Sequence, residues 1–337
     1  MHAAATISTG LGSTESLVAA EAPDGAVFFA CSSSDCTSSA SAQAASVVQV
    51  VERTGAPVVA EHVSGLVQAI AASSTDLFVA TNTSITEYNR TNGQVVCHWS
   101  DPTNVTPSGN FYPAVDLAFG DGLLWAVYGI GTDQSGYEPS ILERIVPGSS
   151  GQPQVVSSDV GQNGVVVGAS GAFFGDFMDT TIHAVASDGS AAGSSGTLPK
   201  YPILTSLQAE VQGAVIGLGL DATGTQSSIV TYSATNLAQA VTTAPLSLMA
   251  SQGPSIQSTL AGPLLAVGGC NNAALGFADA DVQVSSRCSG LGTLERVAVN
   301  DGSTSDAVAV PGARALLGPY PVVIATSGGT TVLVRLS

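Results

Sequence analysis

Residues 67–99 read VQAIAASSTDLFVATNTSITEYNRTNGQVVCHW, and this stretch decides the fold. Segments rich in β-branched and aromatic residues alternate in it with turn residues such as Ser74-Thr75-Asp76 and Asn92-Gly93. Turn residues of this kind join antiparallel strands in hairpins. The stretch therefore predicts one antiparallel sheet whose four strands are residues 67–72, 77–81, 84–89 and 94–99.

The second of these segments recurs seven times along the chain. Each copy has two bulky apolar residues and then a small one, and it is followed by a hydroxyl residue next to an aliphatic one. Successive copies lie 42 to 59 residues apart, which is close to the length of a four-stranded propeller blade. The small residues of the seven copies are Ala30, Ala80, Ala126, Gly175, Gly217, Ala266 and Ala325.

The repeat predicts an all-β fold in which residues 1–337 form a single domain, a seven-bladed β-propeller of four-stranded antiparallel blades. The last copy stops after its third strand, so the N-terminal strand, residues 5–8, is expected to complete the last blade. This pairing would close the ring and leave no open sheet edge there. A pair of β-sandwiches, or a solenoid with short coils, is the alternative that the repeat leaves open.

The charge of the chain excludes some classes of partner. The protein is acidic, with 25 Asp and Glu against 8 Lys and Arg and a net charge of −17. Nucleic acid is excluded as a partner, because binding to phosphates depends on Lys and Arg. No run reaches the roughly 18 apolar residues of a membrane helix, so no transmembrane segment is predicted.

Cysteine placement predicts an exported protein. The connections that follow the second segments differ most in length, and the two longest hold the pairs Cys31 with Cys36 and Cys270 with Cys288. We expect each pair to form a disulfide, because a clamp reduces the entropy that a long loop loses on ordering. A metal site at the first pair is the alternative. Disulfides predict a secreted, periplasmic or cell-surface location, with a leader already removed. Cys97 is expected to be a buried free thiol on an outer strand.

The same variable connections form the predicted ligand-binding surface, since variable loops on a rigid scaffold usually carry binding. Exposed aromatic residues beside acids and amides suit the recognition of a peptide or a glycan, although the rings could instead pack on their own loops. The candidate ligand-binding residues are Tyr112, Asp133, Tyr137, Asp176, Phe177, Asp179, Lys200, Tyr201, Asn271, Asp279 and Asp281.

The search for catalytic and metal-binding residues gives no assignment. His62 and His98 fall on predicted outer strands and His183 on a third strand, so no Ser-His-Asp triad is indicated. No cofactor is predicted; Asp279-Ala280-Asp281 resembles half of a calcium loop, which leaves Ca²⁺ as an alternative. The second functional hypothesis is a lyase or hydrolase that uses the loop carboxylates, with a divalent metal in the central funnel.

One copy of the repeat resembles a known propeller family. Phe173-Phe174-Gly175-Asp176, followed by Thr181-Ile182 and Asp188-Gly189, is similar to a YWTD-type strand pair. The chain as a whole resembles secreted bacterial seven-bladed propellers of the NHL/YWTD-like kind. The sequence therefore favours an exported binding or interaction module that presents its loops to a protein, a peptide or a glycan. A structural part of a larger surface assembly is a third hypothesis.

Overall fold

A computed structural model describes most of the chain, and the secondary structure of the described residues consists of β-strands and turns. The described residues are 2–12, 17–31, 45–52, 55–100, 114–128, 132–133, 136–137, 140–168, 171–176, 181–194, 203–211, 213–223, 225–238, 242–249, 254–259, 262–267, 291–298, 301, 303–318 and 320–337. Strand β1 is Ala3–Gly12, and it belongs to the sheet that the C-terminal residues of the chain form.

The first two sheets follow the predicted plan of four antiparallel strands each. In the first sheet the strands are β2 (Leu17–Glu21), β3 (Val27–Cys31), β4 (Ala45–Val51) and β5 (Val58–Ser64). In the second they are β6 (Val67–Ala72), β7 (Asp76–Thr81), β8 (Ile85–Asn89) and β9 (Val95–Trp99). Each strand of the second sheet begins and ends within one residue of its prediction.

The third sheet corrects the predicted number of blades. Its early strands are β10 (Ala114–Gly120), β11 (Leu123–Tyr128) and β14 (Ser140–Ile145), and between the last two lies a separate ribbon of β12 (Thr132–Asp133) and β13 (Gly136–Tyr137). The sheet continues through β15 (Gln154–Gly168), β16 (Gly171–Asp176), β17 (Ile182–Val185) and β18 (Ala191–Ser194).

The prediction of seven blades is therefore wrong, and the protein is an all-β propeller with six. The predicted third and fourth blades are one sheet of seven strands in the order β10-β11-β14-β15-β16-β17-β18. The physical reason is β15, which runs for 15 residues without a turn. It serves both as the last strand of the third repeat and as the first strand of the fourth.

Three further sheets have four strands each. The fourth sheet contains β19 (Ile203–Val211), β20 (Ala214–Leu220), β21 (Gln226–Ser233) and β22 (Thr242–Met249). The fifth contains β23 (Pro254–Thr259), β24 (Gly262–Val267), β25 (Leu291–Val297) and β26 (Thr304–Pro311). The last contains β27 (Ala313–Leu317), β28 (Val322–Ser327) and β29 (Thr330–Leu336) together with β1.

The pairing of the N-terminal strand with the last sheet is confirmed. β1 runs antiparallel to β29, with Thr6 opposite Val334 and Ser8 opposite Val332. The Thr9 hydroxyl also donates to the carbonyl of Thr331 at 2.8 Å.

The chain divides into two compact units. Unit A comprises Glu15–Val160 with Ala280–Ser285, and unit B comprises Met1–Thr14, Gly161–Asp279 and Ser286–Ser337. In unit A the core lies between consecutive sheets, and β7 shows why. Leu77 and Val79 pack with residues of the first sheet, whereas Phe78 and Ala80 pack with residues of the third. The second strand is thus covered on both faces, which explains its continuous apolar sequence.

In unit B the same kind of packing joins consecutive sheets. Phe173 of β16 lies in one cluster with Val215 of β20 and Tyr232 of β21. Leu294 of β25 packs with Val323 of β28 in a second cluster. Each sheet is therefore held by apolar side chains that interdigitate with those of its neighbour.

An arginine ties the turns of the first two sheets together in unit A. Arg90, in the turn between β8 and β9, makes an ion pair of 2.9 Å with Asp24 in the turn between β2 and β3. Its Nη1 donates to the buried carbonyl of Ser73 at 2.6 Å, and its guanidinium lies 5.0 Å from the centre of the Phe28 ring. Burial raises the pKa of Asp24, but the N–H of Ala26 and the charge of Arg90 outweigh it and hold that pKa below its usual value.

We expect Arg90→Gln to lower the free energy of unfolding by about 1–3 kcal/mol, because the Ser73 carbonyl and the Asp24 carboxylate lose a charged donor. Urea unfolding followed by tryptophan fluorescence measures this loss. The matched control is Asp24→Asn, which keeps an acceptor for the Ala26 N–H and should cost less than about 1 kcal/mol at this exposed site. Equal losses in the two variants would contradict a specific role for the Ser73 contact.

Candidate functional site

The connections between second and third strands of unit A lie at one end of each sheet, and they differ in length. Residues 32–44 join β3 to β4, and residues 129–139 join β11 to β14. Between β7 and β8 the chain turns tightly, since the N–H of Thr81 donates to the carbonyl of Ser84 at 2.8 Å. The long and short connections therefore fall where the sequence predicted them.

The connection between β11 and β14 contains the ribbon β12–β13. Thr132 pairs with Tyr137, and Asp133 pairs with Gly136. Two of the predicted ligand-binding residues, Asp133 and Tyr137, are therefore brought onto the facing strands of one hairpin. The flanking strands are firmly placed, since all six residues of β11 are buried.

The remaining predicted binding residues are not brought together in the described structure. Asp176 is the last residue of β16, where the connection to β17 begins. The other eight lie outside the described residues and stay predictions: Tyr112, Phe177, Asp179, Lys200, Tyr201, Asn271, Asp279 and Asp281.

The cysteines are only partly described. Cys31 is the last residue of β3 and is buried, whereas Cys36, Cys270 and Cys288 lie outside the described residues, so both disulfides stay predictions. Cys97 is a free thiol on the outer strand β9, as expected, but it is half-buried rather than buried. Burial, and then the charge of Glu87, raise the pKa of this thiol.

Sequence reasoning missed a set of buried acids in unit A. Asp116 on β10 is 4% exposed, and within the described structure its Oδ1 has no hydrogen-bond partner. Burial raises the pKa of Asp116 from 3.8 to about 7, although the N–H of Leu117 opposes that rise. The available signal was its position, since an acid stood inside the otherwise apolar stretch Ala114-Val115-Asp116-Leu117-Ala118.

Two further buried acids face the packing between the second and third sheets. Glu87 lies opposite Phe78, and Glu143 lies opposite Ala126, so each shares a face with a residue of that core. Glu87 Oε2 accepts from the N–H of Gly148 at 2.8 Å. Burial raises the pKa of Glu87, the Gly148 N–H lowers it, and the charge of Asp76 raises it again. Glu87 therefore fixes the turn between β14 and β15 against the second sheet.

None of the described residues form a helix that is long and apolar enough to cross a membrane. Within the same residues, no group of three His, Cys, Asp or Glu side chains could hold a metal ion.

Comparison with known proteins supports the fold alone. No protein-family model and no curated protein sequence matches the chain. The WD40 β-propeller domain of Doa1 is 13% identical with a TM-score of 0.55, over 99% of this chain and 96% of that one. BamB from Moraxella catarrhalis is 10% identical with a TM-score of 0.50, over 99% of each chain. Hsv2 from Kluyvelomyces marxianus is 9% identical with a TM-score of 0.51, over 86% of this chain and 75% of that one.

The chain is thus a β-propeller similar in fold to the Doa1 WD40 propeller and to BamB. The resemblance to NHL/YWTD-like propellers is confirmed only at the level of the propeller fold, since no family model supports the finer assignment.

We expect the stability of the protein to fall as the pH rises from about 4 to about 7, because the pKa of Asp116 is raised to about 7 in the folded chain. Below this window both states hold the proton, and above it the folded state carries a buried charge. Asp116→Asn should therefore be more stable than the unchanged protein at pH 8, and its stability should no longer fall across this window, because the amide carries no charge. Denaturant unfolding at both ends of the window measures the difference.

The matched control is Asp121→Asn, which changes an exposed acid in the adjoining β10–β11 turn at a φ of 52° that asparagine tolerates. Its unfolding profile should follow that of the unchanged protein across the window. An Asp116→Asn variant that is no more stable at pH 8 would contradict the raised pKa.

Proposed function

We propose that this chain is an exported binding module that presents the connections after its second strands to a protein, a peptide or a glycan. The observation that carries the proposal is the ribbon β12–β13, which brings Asp133 and Tyr137 onto one hairpin. A two-stranded hairpin is at best marginally stable alone. The ribbon lies between β11 and β14, so the sheet can supply the stability that the hairpin lacks, which supports a role in ligand binding.

The anchoring of this ribbon favours binding over a simple connection. β11 leads into it and pairs with β14 from Leu124–Ile145 to Tyr128–Ile141, so both ends of the connection are fixed. A loop with fixed ends loses less entropy when it binds a ligand. A short ribbon with fixed ends can therefore present a few recognition residues with little loss of conformational entropy on binding.

The residue types on the ribbon suit polar ligands. A tyrosine combines a flat apolar ring with a hydroxyl group, and a carboxylate accepts hydrogen bonds from sugar hydroxyls or from lysine and arginine. With a net charge of −17, the protein favours neutral or cationic ligands over anionic ones. Peptides that contain lysine or arginine, and neutral glycans, are therefore the ligand classes that this surface fits best.

Export is supported by the placement of one cysteine. Cys31 ends a fully buried strand, directly before the connection that contains Cys36. A disulfide there would anchor that connection to the sheet, and such disulfides persist in oxidising compartments. Mass spectrometry of the unreduced protein after export would test both the pairing and the location.

Binding is expected to depend on the ribbon. A ligand found by a glycan array and a displayed peptide library should bind Tyr137→Ala and Asp133→Asn at least about tenfold more weakly, as expected when a central anchor is lost. Isothermal titration with that ligand measures the effect. Tyr112→Ala tests the neighbouring connection between β9 and β10 in the same way.

The control for these variants is Asp121→Asn, an exposed acid at the opposite end of the third sheet. It should leave the dissociation constant unchanged. Full affinity in Tyr137→Ala, Asp133→Asn and Tyr112→Ala, with melting temperatures preserved, would overturn the proposed binding surface.

A further inference from the structure

The chain contains two asparagines that are followed by glycine, and the structure places them in different settings. Asn92-Gly93 lies in the turn between β8 and β9, whereas Asn163-Gly164 lies inside the strand β15. Because glycine has no side chain, its backbone nitrogen is unobstructed and can attack the side-chain amide of the asparagine before it. The surroundings of each pair therefore decide how fast that attack is.

The turn holds the Asn92 side chain close to its own backbone. Asn92 Oδ1 accepts from the N–H of Gln94 at 3.0 Å, and Asn92 Nδ2 donates to Oε1 of Gln94 at 3.4 Å. The first bond closes a loop around the Gly93 peptide, which directs the side-chain amide toward the Gly93 nitrogen. The same bond stabilises the negative charge that develops on Oδ1 during an attack. Asn92 is exposed, so water reaches it as well.

A carboxylate of the first sheet lies against the same glycine. Gly93 has a φ of +68°, and a Cβ added to it would come within 2.6 Å of Oε1 of Glu61, which belongs to β5. Burial raises the pKa of Glu61, and the charge of His62 opposes that rise. A carboxylate in this position can accept the proton of the Gly93 N–H, which is the step that a general base performs.

Two backbone hydrogen bonds of the turn oppose the attack. The Gly93 N–H donates to the carbonyl of Asn89 at 2.8 Å, and the N–H of Asn89 donates to the carbonyl of Gln94 at 2.9 Å. The first of these bonds must open before the Gly93 nitrogen can react. A surface turn opens locally at a much smaller free energy than the whole fold, so the reaction requires no global unfolding.

We propose that Asn92-Gly93 is a site of spontaneous deamidation at which Glu61 acts as the general base. The Gly93 nitrogen attacks Cγ of Asn92 while Glu61 accepts the proton from that nitrogen. The bond from Cγ to Nδ2 then breaks, and Glu61 returns the proton to the departing nitrogen, which leaves as ammonia. Water opens the resulting five-membered imide at either of its two carbonyls and gives aspartate or isoaspartate at position 92.

The modification changes the turn that carries Arg90. Both products place a new carboxylate close to Glu61, and isoaspartate adds one atom to the main chain between Asn89 and Gln94, whose backbone groups close the turn. Arg90 lies in this turn and pairs with Asp24 of the first sheet. Deamidation is therefore expected to weaken the contact between these two sheets. The site is separate from the ribbon β12–β13, so the inference does not depend on the function proposed above.

Asn163-Gly164 is the internal control, because β15 pairs with strands on both sides and the imide requires a backbone that bends back at the asparagine. The folded full chain is incubated for several weeks at physiological temperature and pH and then digested for mass spectrometry, with isoaspartate labelled by an isoaspartyl methyltransferase. Conversion at Asn92 should be at least about tenfold faster than at Asn163. Equal rates at the two positions, or no conversion at Asn92, would overturn the proposal.

The variant Glu61→Gln tests the general base, because glutamine keeps the size of the side chain but does not accept the proton. The rate of conversion at Asn92 should fall by at least about tenfold. A contact that only holds the turn closed predicts the opposite result, since a looser turn would open more often. The matched control is Glu295→Gln on β25, which should leave the rate at Asn92 unchanged.

Glu61→Asp keeps a carboxylate on a shorter side chain and should restore part of the rate that Glu61→Gln loses. Thermal unfolding followed by circular dichroism shows that each variant is folded. An unchanged or faster conversion of Asn92 in folded Glu61→Gln would overturn the role of Glu61, and equal rates in Glu61→Asp and Glu61→Gln would do the same.

Discussion

Unit A depends on the burial of its second strand β7 between the first and the third sheet. In unit A the residues of β7 alternate between the core shared with the first sheet and the core shared with the third. A strand buried on both faces favours apolar side chains, and small residues such as Ala80 and Ala126 are fully buried there. The sequence of such a strand is therefore set by packing, whereas connections and outer strands are less constrained by it.

The same packing removes water from the buried acids of unit A, and the loss of solvation of their charged form lowers the stability of the folded protein. Glu87 offsets part of its desolvation by accepting from the N–H of Gly148, so it joins a turn of one sheet to the strand of another. Burial raises the pKa of Asp116 to about 7, and its Oδ1 has no hydrogen-bond partner in the described structure. A buried acid whose pKa is raised reduces the stability of the folded protein near neutral pH, because the folded state must then carry a buried charge.

The sequence predicted the strands of the second sheet closely, because turn residues such as Asn92-Gly93 mark their ends. It did not predict six blades, since strand alternation has the same period on both sides of Val160 and nothing marks β15 as continuous. Asp133 and Tyr137 were predicted from loop length and residue type, and the structure places them on one ribbon. The exposed valine pairs at the starts of β5 and β9 were not predicted, because β-branched residues at a strand start are equally typical of buried and exposed edges.

The pairing of β1 with β29 has a mechanical consequence. His2 and Ser337 exchange two backbone hydrogen bonds of 3.0 Å each, so the two strand ends lie side by side. Tension that separates these residues would load the ladder from its open end and break its rungs one after another rather than together. The last sheet would therefore unzip under a small force, and segments fused to either end would leave the fold from the same point.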